Sequence, residues 1–197
     1  MKKGIFLIIL FVFLTGCTKN EKEAPAPEPP PESDSRPQEV PKEQKQPAES
    51  IIGSFETPIN DRSQGRKENI ALCVKTINGT TIDPGKTFSF NAAAGPRTEE
   101  RGYKKAKVMI DGDYVMDFGG GVCQVSTTLY NAAAAAGLEI TERHSHQKPV
   151  SYVNEGQDAA VNYNDLDLKF VNNSGGVIRL DITQDGKKIS ANIVKIE

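Results

Sequence analysis

Eight of the chain's twelve prolines fall between Pro25 and Pro47, interleaved with Glu, Lys, Gln and Ser. No aromatic residue occurs between Phe13 and Phe55. Such a segment cannot bury enough apolar surface to offset the entropy of ordering it. It therefore separates a short N-terminal piece from residues 51–197, which are ample for one core. Proline stiffens the intervening stalk to at most about 3 Å per residue, a reach of roughly 100 Å. The 24 basic and 26 acidic residues leave a net charge of −2, and no basic stripe marks the remainder. Nucleic acid is therefore not an expected partner.

The N-terminal piece reads as a secretory signal. Lys2 and Lys3 precede an unbroken apolar run from Ile5 to Leu14. As a helix this run rises about 15 Å, roughly half the hydrocarbon core, so it is too short to span. Leu14-Thr15-Gly16-Cys17 resembles the lipobox of bacterial lipoproteins. That resemblance implies a signal peptide over 1–16, cleavage before Cys17, and a diacylglycerol on its sulfur. Residues 17–50 would then be a lipid anchor and disordered stalk, holding the chain outside the cytoplasm on the cell membrane. The plainer alternative is an ordinary signal peptide with a chance cysteine.

Periodicity predicts an α+β domain over residues 51–197, with two main helices and a mostly antiparallel sheet. Ile70, Cys73, Val74 and Ile77 share one face of a helix over Lys67–Ile77. Phe88–Phe90 reads as a short extended piece. Lys107–Ile110 and Tyr114–Phe118 flank Asp111-Gly112-Asp113 as a hairpin. A second helix opens at Cys123, with Val125, Leu129, Ala132, Ala133 and Ala136 on one face and Gly137 as its stop. Alternation around Leu166–Phe170, Ile178–Ile182 and Ile189–Ile196 predicts a C-terminal three-stranded meander.

The most informative stretch is Phe118 to Tyr130, in which Gly119-Gly120-Gly121 precede Cys123. Three glycines expose bare backbone to a ligand. A cysteine at a helix start has its thiolate favoured by the dipole, and the free N–H groups of the first turn suit a developing oxyanion. The bland alternative is a buried cysteine after a flexible loop. A phosphate-binding loop is excluded, since no Lys-Ser or Lys-Thr follows the glycines. The only histidines are His144 and His146, both directed to one face if the segment is extended. One of them suits Cys123 as general base. A zinc site from these residues has no familiar spacing, so neither metal nor cofactor is expected. Cys73 reads as an inert core residue, with a Cys73–Cys123 disulfide as the alternative.

From about Phe55 to Ile196 the chain resembles the VanW family. The resemblance rests on Asn69-Ile70, Ile77-Asn78-Gly79, the run Pro84 to Asn91, Gly95-Pro96-Arg97-Thr98 and Gly102-Tyr103. It continues in GGGVCQVSTTL from Gly119 to Leu129, Glu142-Arg143 with His146, Tyr152-Val153, and Gly156-Gln157-Asp158-Ala159. Gln147 departs from the family, whose members often carry Ser after the His. The family is named after an accessory protein of glycopeptide-resistance clusters, and some members act as L,D-transpeptidases.

The resemblance implies a cysteine enzyme making 3–3 cross-links in peptidoglycan. In it Cys123 is the nucleophile and His146 the base, Asp158 is either the third triad member or a turn former, and the backbone N–H groups near Gly121, Val122 and Cys123 receive the oxyanion. Arg143, Arg97 and Gln124 are the substrate-binding candidates, and either arginine could instead form a structural salt bridge. The expected partners are stem peptides and, through Cys17, the membrane; the expected state is a monomer. The rival readings are a non-catalytic wall-binding or resistance-accessory lipoprotein, and a thiol carboxypeptidase in which water resolves the thioester.

Overall fold

The computed structural model describes residues 48–110 and 112–197. The signal sequence, the lipobox with Cys17 and the proline-rich stalk lie outside the described residues. The first strand, β1 (Glu49–Pro58), begins two residues before the expected domain boundary. Helix α1 (Gln64–Ile77) follows, then β2 (Thr81–Ile82), β3 (Thr87–Ser89) and the short α2 (Phe90–Ala94). Next come the hairpin β4 (Lys105–Ile110) and β5 (Asp113–Phe118), and helix α3 (Val122–Ala135). The chain ends with β6 (Glu139–Glu142), β7 (Lys169–Val171), β8 (Val177–Gln184) and β9 (Lys188–Ile196).

These elements make an α+β domain with antiparallel pairing throughout. One sheet has the order β1-β9-β8-β2, a second β3-β7-β6, and β4-β5 stand as a two-stranded ribbon. Ile178, Leu180 and Ile182 of β8 alternate with half-exposed residues, which turns one face of the largest sheet inward. Ile189, Ala191 and Ile193 of β9 do the same. Ile70, Cys73 and Ile77 of α1 and Val125, Leu129, Ala132 and Ala133 of α3 close this core. Both long helices follow the predicted apolar spacing, α1 starting three residues early. Gly137 takes φ +69° just after α3, where its freedom ends the helix.

Two local expectations are corrected. The extended piece ends at Ser89, and Phe90 already opens α2. Ser89 Oγ accepts the Ala92 N–H at 3.1 Å, and the Asp167 carboxylate accepts the Asn91 N–H at 2.8 Å. The second of these comes from far along the chain, where local pattern cannot show it. The C-terminal meander is also replaced. Only β8 and β9 form the hairpin; β7 joins β3 and β6, and β1 supplies the third strand beside β9. Turn residues at Asn172–Gly176 mark a reversal but do not choose a strand's partner. Here Asn172 Nδ2 donates to Ile82 O and Gly176 O, fixing the crossing from one sheet to the other.

Strand β1 can lie on α3 because both surfaces are small. A Cβ built on Gly53 would meet the backbone oxygen of Ala132 and stand 2.6 Å from Ala136 Cβ. The register of β1 against β9 shifts at this point, between Ile51 and Gly53. Gly53→Ala is therefore expected to destabilise the domain by about 1–3 kcal/mol, the usual cost of overpacking. A lower urea midpoint would show it; an unchanged midpoint would contradict this packing.

Candidate functional site

The start of α3 is held by its neighbours. Asn69 on α1 is fully buried and donates to Gly120 O at 3.0 Å and Lys104 O at 2.9 Å, while accepting the Lys104 N–H at 2.7 Å. Gly119 and Gly121 take φ of +84° and +111°. A Cβ at Gly119 would lie 2.8 Å from the Arg97 stem, at Gly120 2.7 Å from Lys107 O, and at Gly121 2.9 Å from Ile70. The glycines thus admit close approach by the protein's own chain, where the sequence pointed to a ligand.

The N–H of Val122 donates to Gly119 O and that of Gln124 to Gly121 O, both at 3.0 Å. Val122 is therefore withdrawn as an oxyanion donor. The N–H groups of Gly121 and Cys123 have no protein acceptor among the described residues.

Cys123 is half-buried in the first turn of α3, on the wall of a cleft of about 920 Å³. His146 lines the same cleft, its ring near enough to the Cys123 thiol to favour the thiolate. The thiol's hydrogen-bond partner is Val161 O, 3.4 Å away. His146 Nδ1 donates to Asp158 Oδ2 at 2.6 Å, and the His146 backbone N–H donates to the same oxygen at 2.6 Å. Nε2 is left as the ring nitrogen free to take a proton. The side chains of His146 and Asp158 are only 8% and 10% exposed, so water screens the pair weakly. Burial pushes the Cys123 thiol up, but the hydrogen bond and charge of His146, with the charge of Arg97, outweigh it and hold the thiol low. Burial works against His146 protonation, yet Cys123 and Asp158 hold the ring above the ordinary histidine value.

The remaining candidates divide. Arg143 faces the back of Asp158. Its Nε donates to Asp158 O at 2.6 Å, and its Nη2 donates to Gly156 O at 2.9 Å and to Asp158 Oδ1 at 3.1 Å. Its guanidinium also lies over Tyr130, so the salt-bridge alternative holds and the substrate role falls. Gln124 is buried and spent as well. Its Oε1 accepts from Arg66 at 2.8 Å, and its Nε2 donates to Pro58 O at 2.9 Å and Thr57 Oγ1 at 3.1 Å. Of the three candidates, Arg97 alone keeps free donors in the cleft.

His144 turns to Glu142 Oε1 at 3.0 Å and does not line the cleft. Cys73 and Cys123 are both free thiols, and burial pushes Cys73 up to about 12, which suits an inert core residue. No group of three or more His, Cys, Asp or Glu among the described residues is placed to hold a metal.

The sequence reading did not assign roles to Arg66 and Tyr152, which also line the cleft. Burial, then the charge of Cys123, pushes the Tyr152 hydroxyl up, so it remains a hydrogen-bond donor at neutral pH. Its place in the Tyr152-Val153 motif was the available signal. Ser126 and Thr127 of the motif also have defined tasks. Ser126 Oγ donates to Ala159 O at 2.6 Å, and Thr127 Oγ1 accepts the Ala159 N–H at 2.9 Å, clamping the Asp158 segment to α3.

Fold and site together define a small α+β domain with a cleft at the start of α3, lined by Cys123 and by His146, whose ring bonds Asp158. The family model described as VanW like protein matches residues 65–194, and the chain belongs to that family. It is 42% identical over 121 residues to the uncharacterized protein YoaR of Bacillus subtilis (strain 168), covering 61% of this chain and 40% of the relative. It is 32% identical over 126 residues to the vancomycin B-type resistance protein VanW of Enterococcus faecalis (strain ATCC 700802 / V583), covering 61% of this chain and 46% of the relative. The matched part is thus less than half the length of either relative. No solved structure matches the chain.

The relay makes a pH prediction. Because the thiol is held low and the imidazole high, alkylation of Cys123 by iodoacetamide should persist below the pH range of an ordinary thiol. Asp158→Asn removes the anion that favours the imidazolium, which in turn favours the thiolate. The alkylation midpoint should then move up by about one pH unit, equivalent to about 1.4 kcal/mol. An unmoved midpoint would disconnect Asp158 from the thiol.

Proposed function

We propose that the chain is a cell-envelope L,D-transpeptidase that forms 3–3 cross-links in peptidoglycan through a Cys123 thioester. The observation that carries this reading is the relay from Asp158 through His146 to a half-buried helix-start thiol, opening on a cleft large enough for a peptide. Further support comes from the resemblance, since some family members catalyse this reaction.

In the proposed sequence, His146 Nε2 takes the Cys123 proton and the thiolate attacks the carbonyl carbon of the third stem residue, a diamino acid. The oxyanion that forms is met by the unshared N–H of Cys123, with that of Gly121 beside it. The intermediate collapses, the carbon–nitrogen bond to the terminal D-Ala breaks, and His146 gives its proton to the departing amine. The side-chain amine of a neighbouring stem then attacks the thioester. His146 removes the amine's surplus proton and returns a proton to the sulfur as the new amide forms. Asp158 steadies the imidazolium in both halves. Processing and lipidation at Cys17 belong to the same proposal: two acyl chains would hold the chain on the membrane while the stalk gives it reach into the wall.

Muropeptide analysis of cells carrying wild type or Cys123→Ser tests the reaction. A serine hydroxyl hardly ionises at neutral pH, so 3–3 dimers should disappear while stability stays within about 1 kcal/mol. Equal dimer levels would refute the nucleophile. Tripeptides formed in place of dimers would make water the acceptor and the protein a carboxypeptidase.

A further inference from the structure

Arg97 adds its charge at the thiol, yet it also lines the cleft with donors that nothing in the protein takes up. Its guanidinium lies over the Phe90 ring at 5.5 Å and near the Tyr163 ring at 6.0 Å. Its stem rests against Gly119, so the turn that delivers Cys123 also places the arginine. Both terminal nitrogens are buried and have no hydrogen-bond partner. No carboxylate among the described residues comes within ion-pairing distance of it. Of the two other arginines nearby, Arg143 is engaged by Asp158, and Arg66 gives a terminal nitrogen to Gln124 while its Nε alone stays unpartnered.

A guanidinium shielded from water and lacking a counter-ion is unfavourable unless something supplies the missing acceptors. The Phe90 and Tyr163 rings meet its π system and accept no N–H, so the N–H edge is the part left to bind. That edge is a planar fork of donors matched to a carboxylate.

We infer that Arg97 binds a carboxylate of the acyl donor, making the cleft selective for peptides that carry one beside the carbonyl attacked by Cys123. The inference rests on the proposed acyl-transfer reading for the identity of the donor. A stem tetrapeptide offers two such groups: the α-carboxylate of the residue that leaves, and the side-chain carboxylate of a diaminopimelate-type third residue. Binding of the first would make the protein act on chain ends.

The test begins with a measurement that needs no peptide. Iodoacetate and iodoacetamide alkylate a thiolate by the same displacement of iodide, and they differ in that the first carries a carboxylate. Their rate ratio at Cys123, read from the mass of the Cys123 peptide of the full chain, cancels any change in thiolate fraction. Relative to free cysteine, the wild-type ratio should favour iodoacetate by about tenfold, the scale of one charge-assisted hydrogen bond. Arg97→Gln should return it to the free-cysteine value, and Arg97→Lys should retain part of the preference. A wild-type ratio equal to that of free cysteine would overturn the inference without reference to any variant.

The second arm compares turnover of a tetrapeptide acid, its C-terminal amide, and an analogue with lysine as third residue. A penalty for the amide that Arg97→Gln abolishes assigns the terminal carboxylate, and a penalty for lysine that it abolishes assigns the side chain. Penalties that survive Arg97→Gln would overturn the inference. Should the alkylation preference hold while no tetrapeptide is turned over, the carboxylate site stands and the transpeptidase reading fails.

Discussion

A single carboxylate, that of Asp158, organises the site. One oxygen accepts both the backbone and ring N–H groups of His146, the other accepts from Arg143, and the residue's own carbonyl takes a second Arg143 donor. Two hydrogen bonds to one oxygen fix the imidazole's rotation as well as its tautomer. Burial alone would raise the carboxyl, yet His146 holds it below its ordinary value, so it remains anionic at neutral pH. That anion is why a largely buried imidazole can carry charge, and the charged imidazole is why a thiol in a shielded cleft can ionise. Each member is unfavourable where it stands without the next.

The same economy runs along α3. Gln124, Ser126, Thr127 and Thr128 are all buried, an unusual polar run for the inner face of a helix. Each is satisfied by neighbours outside the helix: Gln124 by Arg66 and β1, Ser126 and Thr127 by Ala159, and Thr128 by Thr57 at 2.8 Å. These bonds set the height and rotation of the helix against three separate segments. The thiol at its start is thereby fixed to the core rather than carried by a loop, which is the arrangement a preorganised nucleophile needs.

Much of this was legible in the sequence. Apolar spacing found both long helices because their partners are simply the core, and the hairpin followed from Gly112 between two extended runs. Cys123, His146 and Asp158 were named from the resemblance, and the structure brings them together. What stayed hidden depends on distant partners. Helix α2 needs Asp167, the third strand beside β9 comes from residues far earlier in the chain, and the glycines answer to Arg97, Lys107 and Ile70. The three substrate candidates could not be sorted by sequence, because whether an arginine is free depends on who else reaches it. Arg143 and Gln124 were taken by neighbours and Arg97 was not.

The central claim is that Cys123 forms an acyl-enzyme. Intact-mass measurement of the full chain, incubated with a stem tetrapeptide and no acceptor amine, tests it most directly. The expected result is a mass increase equal to the tetrapeptide less one molecule of free D-Ala, located at Cys123 and removed by hydroxylamine. A chain that keeps its unmodified mass while folded and reactive to iodoacetamide, or an adduct on any other residue, would contradict it.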